Sequence, residues 1–171
     1  MLGLYQYHPV NIALINIKIY LFFIVKFKIY LYILKIYMKI VCVSGYFDPF
    51  HIGHLEYLEK SKKLGDYLFV IVNNDFQAQL KKKKSFMNEY ERLNIIRSLK
   101  CVDSAILSID KDRTVIETLK IIKPDIFTNG GDQNNSTIPE IKICNELGIE
   151  LVDGLGDKIQ SSSWLIKASK N

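Results

Sequence analysis

From residue 39 onward, short apolar runs rich in β-branched residues alternate with longer segments of helical periodicity. Strands that alternate with helices at this spacing are typical of βαβ crossovers, in which helices cover both faces of a parallel sheet. The sequence therefore predicts an α/β fold with a doubly wound, five-stranded parallel sheet. Ligands of such folds bind beyond the carboxyl ends of the strands. The expected strands are residues 39–43, 67–73, 102–109, 125–128 and 149–152.

Capping residues indicate where the first helices begin and end. A helix from about Ile52 is expected to end at Gly65, the residue after its C-cap. Asn88, with Glu91 three positions later, forms the pattern of a capping box and predicts the start of another helix. The polar stretch between the second strand and Asn88, which includes Lys81–Lys84, is expected to be a solvated loop.

The later helices carry similar signals. Asp112 is expected to begin a helix that runs to residue 122, where Pro124 stops it. A further helix is expected from about Pro139 to residue 147, with Gly148 as its stop. The serines at 161–163 are expected to cap the last helix.

Residues 1–37 differ in composition from the rest of the chain. Ile, Lys, Tyr, Phe and Asn occupy most positions, and no apolar run reaches the roughly 18 residues that a membrane-spanning helix needs. Two interpretations remain open: a Lys-bearing segment that rests on a membrane surface, and a translated upstream stretch. We expect the second, because Met38 directly precedes the first patterned strand and AT-rich codons would give this composition. The domain is therefore expected to comprise residues 38–171 without this head.

Charge and cysteine content narrow the class of protein. The formal net charge is +5, but residues 1–37 hold four Lys and no acidic residue, so the domain carries only +1. A near-neutral domain argues against nucleic-acid binding through a broad basic face. The three cysteines, Cys42, Cys101 and Cys144, lack the two-residue spacing of metal and redox sites. Reduced thiols in a cytoplasmic protein are therefore expected.

The turn after the first strand, residues 45–54, is suited to binding a phosphate. His51 and His54 lie three positions apart, so both project from one face of the first helical turn. Backbone N–H groups at a helix N-terminus already favour an anion, and two imidazole donors strengthen that preference as negative charge grows. Gly45 permits a tight turn, and Gly53 leaves the helix open to close approach.

Two ordinary histidines, one a cap and one a packing residue, are the simpler interpretation of this turn. It is disfavoured because six positions coincide, and average residue usage makes such a match rare by chance. The six are Gly45, Phe47, Asp48, His51, Gly53 and His54. They resemble the GxFDxxHxGH signature of the HxGH nucleotidyltransferase superfamily, the cytidylyltransferase-like proteins, which include glycerol-3-phosphate cytidylyltransferase and heptose-phosphate adenylyltransferase. The likeness extends from Lys39 to about Lys167 and implies a Rossmann-like fold, with the turn, including Tyr46, at the nucleotide.

A second region matches the same family near the C-terminal end. Ser161, Ser162 and Ser163 resemble its Ser/Thr-rich helix start, which receives the outer phosphates of the nucleotide. The cytidylyltransferase form has an Arg and a Gly ahead of the Ser/Thr pair. This chain instead has Asp157, Lys158 and Gln160 there, so the choice of nucleotide is open.

Three further segments resemble parts of the family's site. One or two of the basic residues at 81–84 are expected to reach the phosphates, and we name Lys81 and Lys84 as catalytic candidates. Glu91 and Arg92 resemble the family's Glu-Arg pair, with a surface ion pair as the alternative. The turn Asn129, Gly130, Gly131 and Asp132 resembles the Gly-Gly-Asp turn of the adenylyltransferases, with a plain turn as the alternative.

The resemblance implies a reaction as well as a fold. An ionised phosphate of a small phosphomonoester, such as a sugar phosphate, would attack the α-phosphorus of a nucleoside triphosphate and release pyrophosphate. His51 and His54 would hold the α- and β-phosphates, and a Lys would bridge the two substrates. Mg²⁺ would accompany the triphosphate, without a cage made only of protein ligands. We expect the transferred group to be AMP.

Two alternatives remain open. One is a cytidylyltransferase that uses CTP with glycerol phosphate or a similar acceptor. The other is a non-catalytic nucleotide-binding module that residues 1–37 tether to a membrane. The expected partners are a nucleoside triphosphate and a phosphorylated acceptor, with no nucleic acid, while a homodimer and weak membrane contact through residues 1–37 are left open.

Overall fold

The computed structural model describes residues 9–82, 84–130, 138–155 and 160–168. The chain divides into two compact units, Met1–Met38 and Lys39–Asn171. The described part of the first unit is a single helix, α1, over Pro9–Tyr37. No helix among the described residues has the length and apolar character required to cross a membrane.

The second unit contains a five-stranded sheet in which all neighbouring strands are parallel, in the order β3-β2-β1-β4-β5. This confirms the expected α/β fold with its parallel sheet. Except for β1, which extends to Gly45, the observed strands are shorter than the expected runs, because only part of each run pairs with a neighbour. They are β1 (Ile40–Gly45), β2 (Tyr67–Val72), β3 (Ser104–Leu107), β4 (Ile126–Thr128) and β5 (Glu150–Val152).

Helices pack on both faces of this sheet, because alternate residues of the central strand face two separate apolar clusters. Val41 and Val43 of β1 belong to one cluster, and Cys42 between them belongs to the other. Each fully buried Leu or Ile in these clusters contributes roughly 1.5–3 kcal/mol to folding. The helices after α1 are α2 (Ile52–Lys62), α3 (Asp75–Lys82), α4 (Glu89–Arg97), α5 (Ile116–Ile122), α6 (Ile141–Leu147) and α7 (Ser162–Ala168).

Several of the expected capping signals are confirmed. The side chains of Asn88 and Glu91 each accept the backbone N–H of the other and form the capping box of α4. Gly148 ends α6 with φ 69°. The Ser161 hydroxyl accepts from Trp164 N at 3.3 Å at the start of α7. The three cysteines are free thiols, as expected.

Two expected helix boundaries are wrong. The helix α2 ends at Lys62, and Gly65 lies in the following turn, where an added Cβ would be only 2.5 Å from the Lys39 carbonyl oxygen. Gly65 is therefore required by a close backbone approach rather than by a helix cap. Asp112 does not begin α5, which starts at Ile116. The first amides of α5 are bound instead by Asp110, which accepts from Glu117 N at 2.7 Å.

The segment expected to be a solvated loop after β2 is largely helical. Residues Asp75–Lys82 form α3, so Lys81 and Lys82 occupy its last turn. The buried side chain of Gln77 stabilises this short helix, because it bonds Asn73, Asn74 N and the carbonyl of Thr114. Asn74 also accepts Gln77 N at 2.9 Å, as an N-cap residue does, so only the contact with Thr114 is distant in sequence.

Candidate functional site

A cleft of about 870 Å³ opens at the carboxyl edge of the sheet. The turn between β1 and α2 forms its centre, and residues from α3, from the β3–α5 loop, from the end of β4 and from 160–163 complete its lining. This is the edge at which parallel α/β sheets bind ligands. Its volume is at the upper end of the range for small-molecule sites, so two substrates can fit together.

Tight packing shapes the β1–α2 turn. Phe47 is 1% exposed and has φ 51°, a backbone conformation that few side chains adopt. A Cβ at Gly45 would lie 2.7 Å from the Phe47 ring, so this position has no room for a larger residue. The Phe47 ring meets the His54 ring edge-on, with 5.1 Å between centroids. Phe47, which we predicted to bind nucleotide, thus also supports His54.

Asp48 fastens the same turn to the segment before α4. Its buried carboxylate accepts the backbone N–H of Phe86 at 2.9 Å and of Met87 at 2.8 Å. Lys82 donates to the Asp48 carbonyl oxygen at 2.6 Å, and its Nζ lies 3.8 Å from the carboxylate. We predicted that Asp48 contacts the nucleotide, but the structure commits its side chain to these internal contacts and leaves it out of the cleft lining.

His51 and His54 form a stacked pair at the start of α2, with 3.7 Å between ring centroids and 18° between ring planes. The Nδ1 atoms of both rings are buried and have no hydrogen-bond partner in the described structure. Both rings line the cleft, which confirms that the three-residue spacing directs them to one face. Buried polar atoms are normally paired, so these nitrogens are available to a ligand. An added Cβ at Gly53 would lie 3.2 Å from His51 Nδ1, so glycine preserves this approach.

Both imidazoles are held in the neutral form. Burial, with smaller contributions from the charges of His51, Lys82 and Lys81, lowers the pKa of His54 to about 3. Burial and the charge of Lys82 also lower the pKa of His51. A neutral imidazole keeps one N–H donor and one acceptor at physiological pH, so each ring can donate one hydrogen bond to a phosphate oxygen.

Lys81 and Lys82 reach the cleft, but Lys84 does not. Lys81 lies over the Tyr46 ring, with its Nζ 4.3 Å from the ring centroid, and Lys82 approaches the histidines closely enough to lower the pKa of both. Lys84 is exposed and lies outside the cleft lining, because the chain leaves α3 before that position. Lys83 lies outside the described residues. The catalytic candidate that the structure favours beside Lys81 is therefore Lys82.

The serine run forms another part of the cleft. Ser161, Ser162 and Ser163, which we predict to receive the outer phosphates, all line it. The Ser162 hydroxyl donates to the Pro49 carbonyl oxygen at 3.0 Å, which fastens this segment to the β1–α2 turn. The Ser161 and Ser163 hydroxyl oxygens lie 3.0 Å apart. Lys158, one of the departures from the family pattern, lies outside the described residues.

Arg92 is 1% exposed and lies beneath the cleft rather than in its wall. Its guanidinium donates to the carbonyl oxygens of Tyr46 and Asn73, each at 2.7 Å, and pairs with Asp75 at 2.7 Å. The alternative of a surface ion pair is wrong, because the side chain is buried. In the described structure Arg92 therefore orders the backbone that carries Tyr46.

The Asn129 turn reaches the cleft through the residues that the structure describes. Asn129 and Gly130 line it at the end of β4. A Cβ at Gly130 would lie 3.0 Å from the Tyr57 ring, so the turn packs closely on α2. Gly131 and Asp132, which complete the predicted Gly-Gly-Asp turn, lie outside the described residues.

Arg113 and Glu140 line the cleft although the sequence analysis did not select them. Glu140 is buried and accepts from Val115 N at 3.0 Å, and burial raises the pKa of its carboxyl group. Arg113 lies in the loop after β3, at the carboxyl edge of the sheet. Its position after a strand could have indicated a role in the site, because turns from strand to helix on this edge are where ligands of such folds are expected to bind.

Three comparisons relate this chain to known proteins. The cytidylyltransferase-like family model matches residues 42–167. The FAD synthase of Picrophilus torridus is 41% identical over 112 residues, covering 66% of this chain and 78% of that protein. Bifunctional protein HldE of Nitratiruptor sp. is 37% identical over 121 residues, covering 68% of this chain but 25% of that protein. A solved structure, the lipopolysaccharide core biosynthesis protein from Thermoplasma volcanium GSS1, has a TM-score of 0.61 and 35% identity, covering 70% of this chain and 98% of its own.

Proposed function

Because this chain belongs to the cytidylyltransferase-like family and is a nucleotidyltransferase, we propose that it transfers AMP from ATP to the phosphate of a small phosphomonoester and releases pyrophosphate. The family membership confirms the resemblance drawn from the turn motif. The observation that supports the proposed reaction most strongly is the stacked pair His51 and His54, neutral and unpaired at Nδ1, in a cleft with cations and hydroxyls.

The chemistry needs no general base. An oxygen of the acceptor phosphate forms a bond to the α-phosphorus of ATP, while the bond from that phosphorus to the bridging oxygen breaks and pyrophosphate leaves. A phosphomonoester already carries most of its second negative charge at pH 7, so its oxygen attacks as it is. Catalysis then depends on positioning and on stabilising negative charge, which the donors and cations of this cleft provide.

Different residues of the described cleft are placed to contribute to different parts of this reaction. His51 and His54 donate hydrogen bonds to the α- and β-phosphates, where negative charge grows during transfer. Lys82, held between Asp48 and the histidines, supplies a fixed positive charge beside them. Ser161 to Ser163 offer hydroxyl donors to the outer phosphates. Asn129 and Gly130 lie where the nucleoside would enter from the other half of the sheet.

Mg²⁺ fits this cleft as a companion of the triphosphate. Among the described residues, no group of three His, Cys, Asp or Glu side chains is arranged to hold a metal, and Glu140 is the carboxylate in the described lining. Mg²⁺ commonly takes most of its ligands from phosphate oxygens and water. When bound it would neutralise part of the triphosphate charge, and Glu140 is the carboxylate of the described lining that could contact it.

FMN is the acceptor that we favour. FAD is FMN joined to AMP through a pyrophosphate bond, and FMN is itself a phosphomonoester. The FAD synthase match covers 78% of that relative, whereas the match to HldE covers 25% of a longer protein. A sugar phosphate, the acceptor expected from the sequence, is the second candidate, and CTP with glycerol phosphate is the third. We place the reaction in the cytoplasm, because the three cysteines are free thiols.

A panel of substrates tests this proposal. Purified protein with Mg²⁺ is given every pair of one nucleoside triphosphate and one acceptor. The four triphosphates are tested, and the acceptors are FMN, heptose phosphate and glycerol 3-phosphate. Pyrophosphate release is measured for each pair. We expect release with ATP and FMN, and none from the double variant His51→Ala, His54→Ala. Release with CTP and glycerol phosphate alone would replace the proposal by its third candidate. No release in any combination would favour the non-catalytic module.

A further inference from the structure

We propose that Arg113, Lys81 and Tyr46 form the subsite that binds the phosphate group of the acceptor, apart from the residues that hold the phosphates of the nucleotide. The inference rests on the proposed function, since it names the ligand class of part of the same cleft. The ligand is a phosphomonoester dianion. We call these three residues the cation wall, and we call the turn Phe47–His54 together with residues 160–163 the histidine wall.

The cation wall is a cluster with measurable contacts. Lys81 Nζ lies 4.3 Å from the centre of the Tyr46 ring, within the range of a cation–π contact. The charge of Arg113 acts on the Tyr46 hydroxyl and on Lys81, so all three side chains lie within electrostatic reach of one another. Tyr46 is held by Arg92, which binds its carbonyl oxygen at 2.7 Å. The cluster therefore offers two positive groups and one hydroxyl on an ordered support.

The positive charges of this cluster lack a matching carboxylate. In the part of the chain that the structure describes, neither Lys81 nor Arg113 lies within ion-pair distance of an acidic side chain. Partial removal from water, with the charges of Lys82 and Arg113, lowers the pKa of Lys81. Cations that crowd together without a counter-charge are stabilised by an anion that binds between them.

Glu140 is the acidic residue in the described lining of the cleft, and its own contacts limit its effect on the charges of Lys81 and Arg113. Burial raises the pKa of Tyr46 and the charge of Glu140 adds to this effect, so Glu140 faces the same region of the cleft. However, its carboxylate accepts the Val115 amide, and burial raises its own pKa. The group is thus engaged with the backbone rather than paired with Arg113.

The topology separates the two walls. The sheet order β3-β2-β1-β4-β5 places the histidines after the central strand. Lys81 and Arg113 follow β2 and β3, which lie on one side of β1. The serine run follows β5 in the chain but is bonded to the β1–α2 turn itself, through the Ser162 hydroxyl and the Pro49 carbonyl oxygen. In an in-line displacement, the attacking phosphate of the acceptor and the leaving pyrophosphate lie on opposite sides of the α-phosphorus. Because the hydroxyl donors of 161–163 lie against the histidine turn, the cations that follow β2 and β3 are placed for the phosphate of the acceptor.

Arg113 then becomes a determinant of acceptor specificity. A guanidinium can form two parallel hydrogen bonds to a phosphate, which a point charge such as Lys cannot reproduce. An acceptor alcohol that lacks the phosphate would leave these cations without a partner and would bind poorly.

The test uses Arg113→Gln, with Lys111→Gln as a matched control that removes the same charge from the same loop outside the cleft lining. Each protein is saturated with Mg²⁺ and the non-hydrolysable analogue α,β-methylene-ATP, and binding of inorganic phosphate is then measured by calorimetry. We expect Arg113→Gln to weaken phosphate binding by roughly 10- to 100-fold, the usual loss for a hydrogen bond to a charged group. The affinity for the analogue should change less than twofold, and Lys111→Gln should match the parent.

Turnover supplies a second readout. With the best phosphomonoester of the panel, Arg113→Gln should raise the KM for the acceptor far more than it changes the KM for ATP. Unchanged phosphate affinity in Arg113→Gln, or no phosphate binding by the saturated parent, would overturn the subsite. A loss of affinity for the analogue would assign Arg113 to the nucleotide and overturn it as well. If no acceptor is turned over while phosphate binding still depends on Arg113, the proposed function fails and the subsite stands.

Discussion

The two walls of the cleft are built in different ways. The histidine wall is fixed by burial: Phe47 and Asp48 are each 1% exposed, and the rings of Phe47 and His54 are in contact. Lys81 and Arg113 of the cation wall are exposed and come from two separate elements. A rigid donor pair suits a phosphorus atom whose position must not vary. Exposed cations suit a substrate that must enter and leave. We therefore propose that the histidine wall serves the chemistry and that the cation wall binds the acceptor.

The largest expected effect is the loss of a histidine. His54→Ala should lower turnover by roughly 10²- to 10³-fold at saturating substrates, because it removes one charge-stabilising donor. Affinity for the ATP analogue should change much less. Initial rates of pyrophosphate release check this, with thermal unfolding as a control that the variant is folded. Near-normal turnover in His54→Ala would remove the chemical role from the histidine wall.

A smaller effect is expected at Lys82, which lies between the two walls. Lys82→Gln should lower turnover by roughly tenfold, because the lost charge is close to both histidines and to Asp48. Lys84→Gln is the matched control, since it makes the same change at an exposed position outside the cleft lining. Steady-state kinetics of both variants distinguish them. Equal kinetics of the two would show that the lysine run acts only through its total charge.

The buried histidine also predicts how stability depends on pH. The pKa of His54 falls from an ordinary value of 6.5 to about 3 in the folded protein. Between these values the unfolded chain binds a proton that the folded chain does not, so the free energy of unfolding falls as pH drops from about 6.5 towards 3. Urea unfolding at several pH values should show this fall, and His54→Ala should show a shallower one. Identical slopes would mean that His54 titrates normally.

The smallest effect is expected from the head of the chain. We propose that residues 1–37 are not needed by the domain, because the sheet and both apolar clusters lie within residues 39–171. A protein that begins at Met38 should fold and should release pyrophosphate at a rate within about twofold of the full chain. Calorimetric unfolding and initial rates check this. An insoluble or inactive truncation beside an active full chain would give the head a structural role.

The contrast between the two walls of the cleft also explains which parts of the site the sequence could predict. The histidine wall was predictable because its main residues lie within ten consecutive positions, where spacing fixes which side chains share a helix face. The five strands were predictable because buried parallel strands have short runs of β-branched residues. Both predictions depend on local pattern, and the structure confirms both.

Long-range contacts account for the predictions that failed. The start of α5 was missed because Asp110, and not the closer Asp112, binds its first amides. Lys82 was not singled out within its run, because its position depends on Asp48, 34 residues away. Arg113 was missed because the helix was expected to begin at Asp112, which placed Arg113 inside the helix rather than in the loop after β3. Such contacts follow from tertiary packing and leave no periodic pattern in the sequence.

The most direct test of the central claim is the fate of the α-phosphate. Protein, Mg²⁺ and FMN are incubated with ATP labelled at the α-phosphorus, and the labelled products are separated by chromatography. Attack by the acceptor phosphate on that phosphorus predicts that the label appears in a flavin dinucleotide, with one pyrophosphate released for each one formed. The account would be contradicted if the label were recovered only as AMP or ADP. It would also be contradicted if the label stayed in ATP both with FMN and with every other phosphomonoester of the panel.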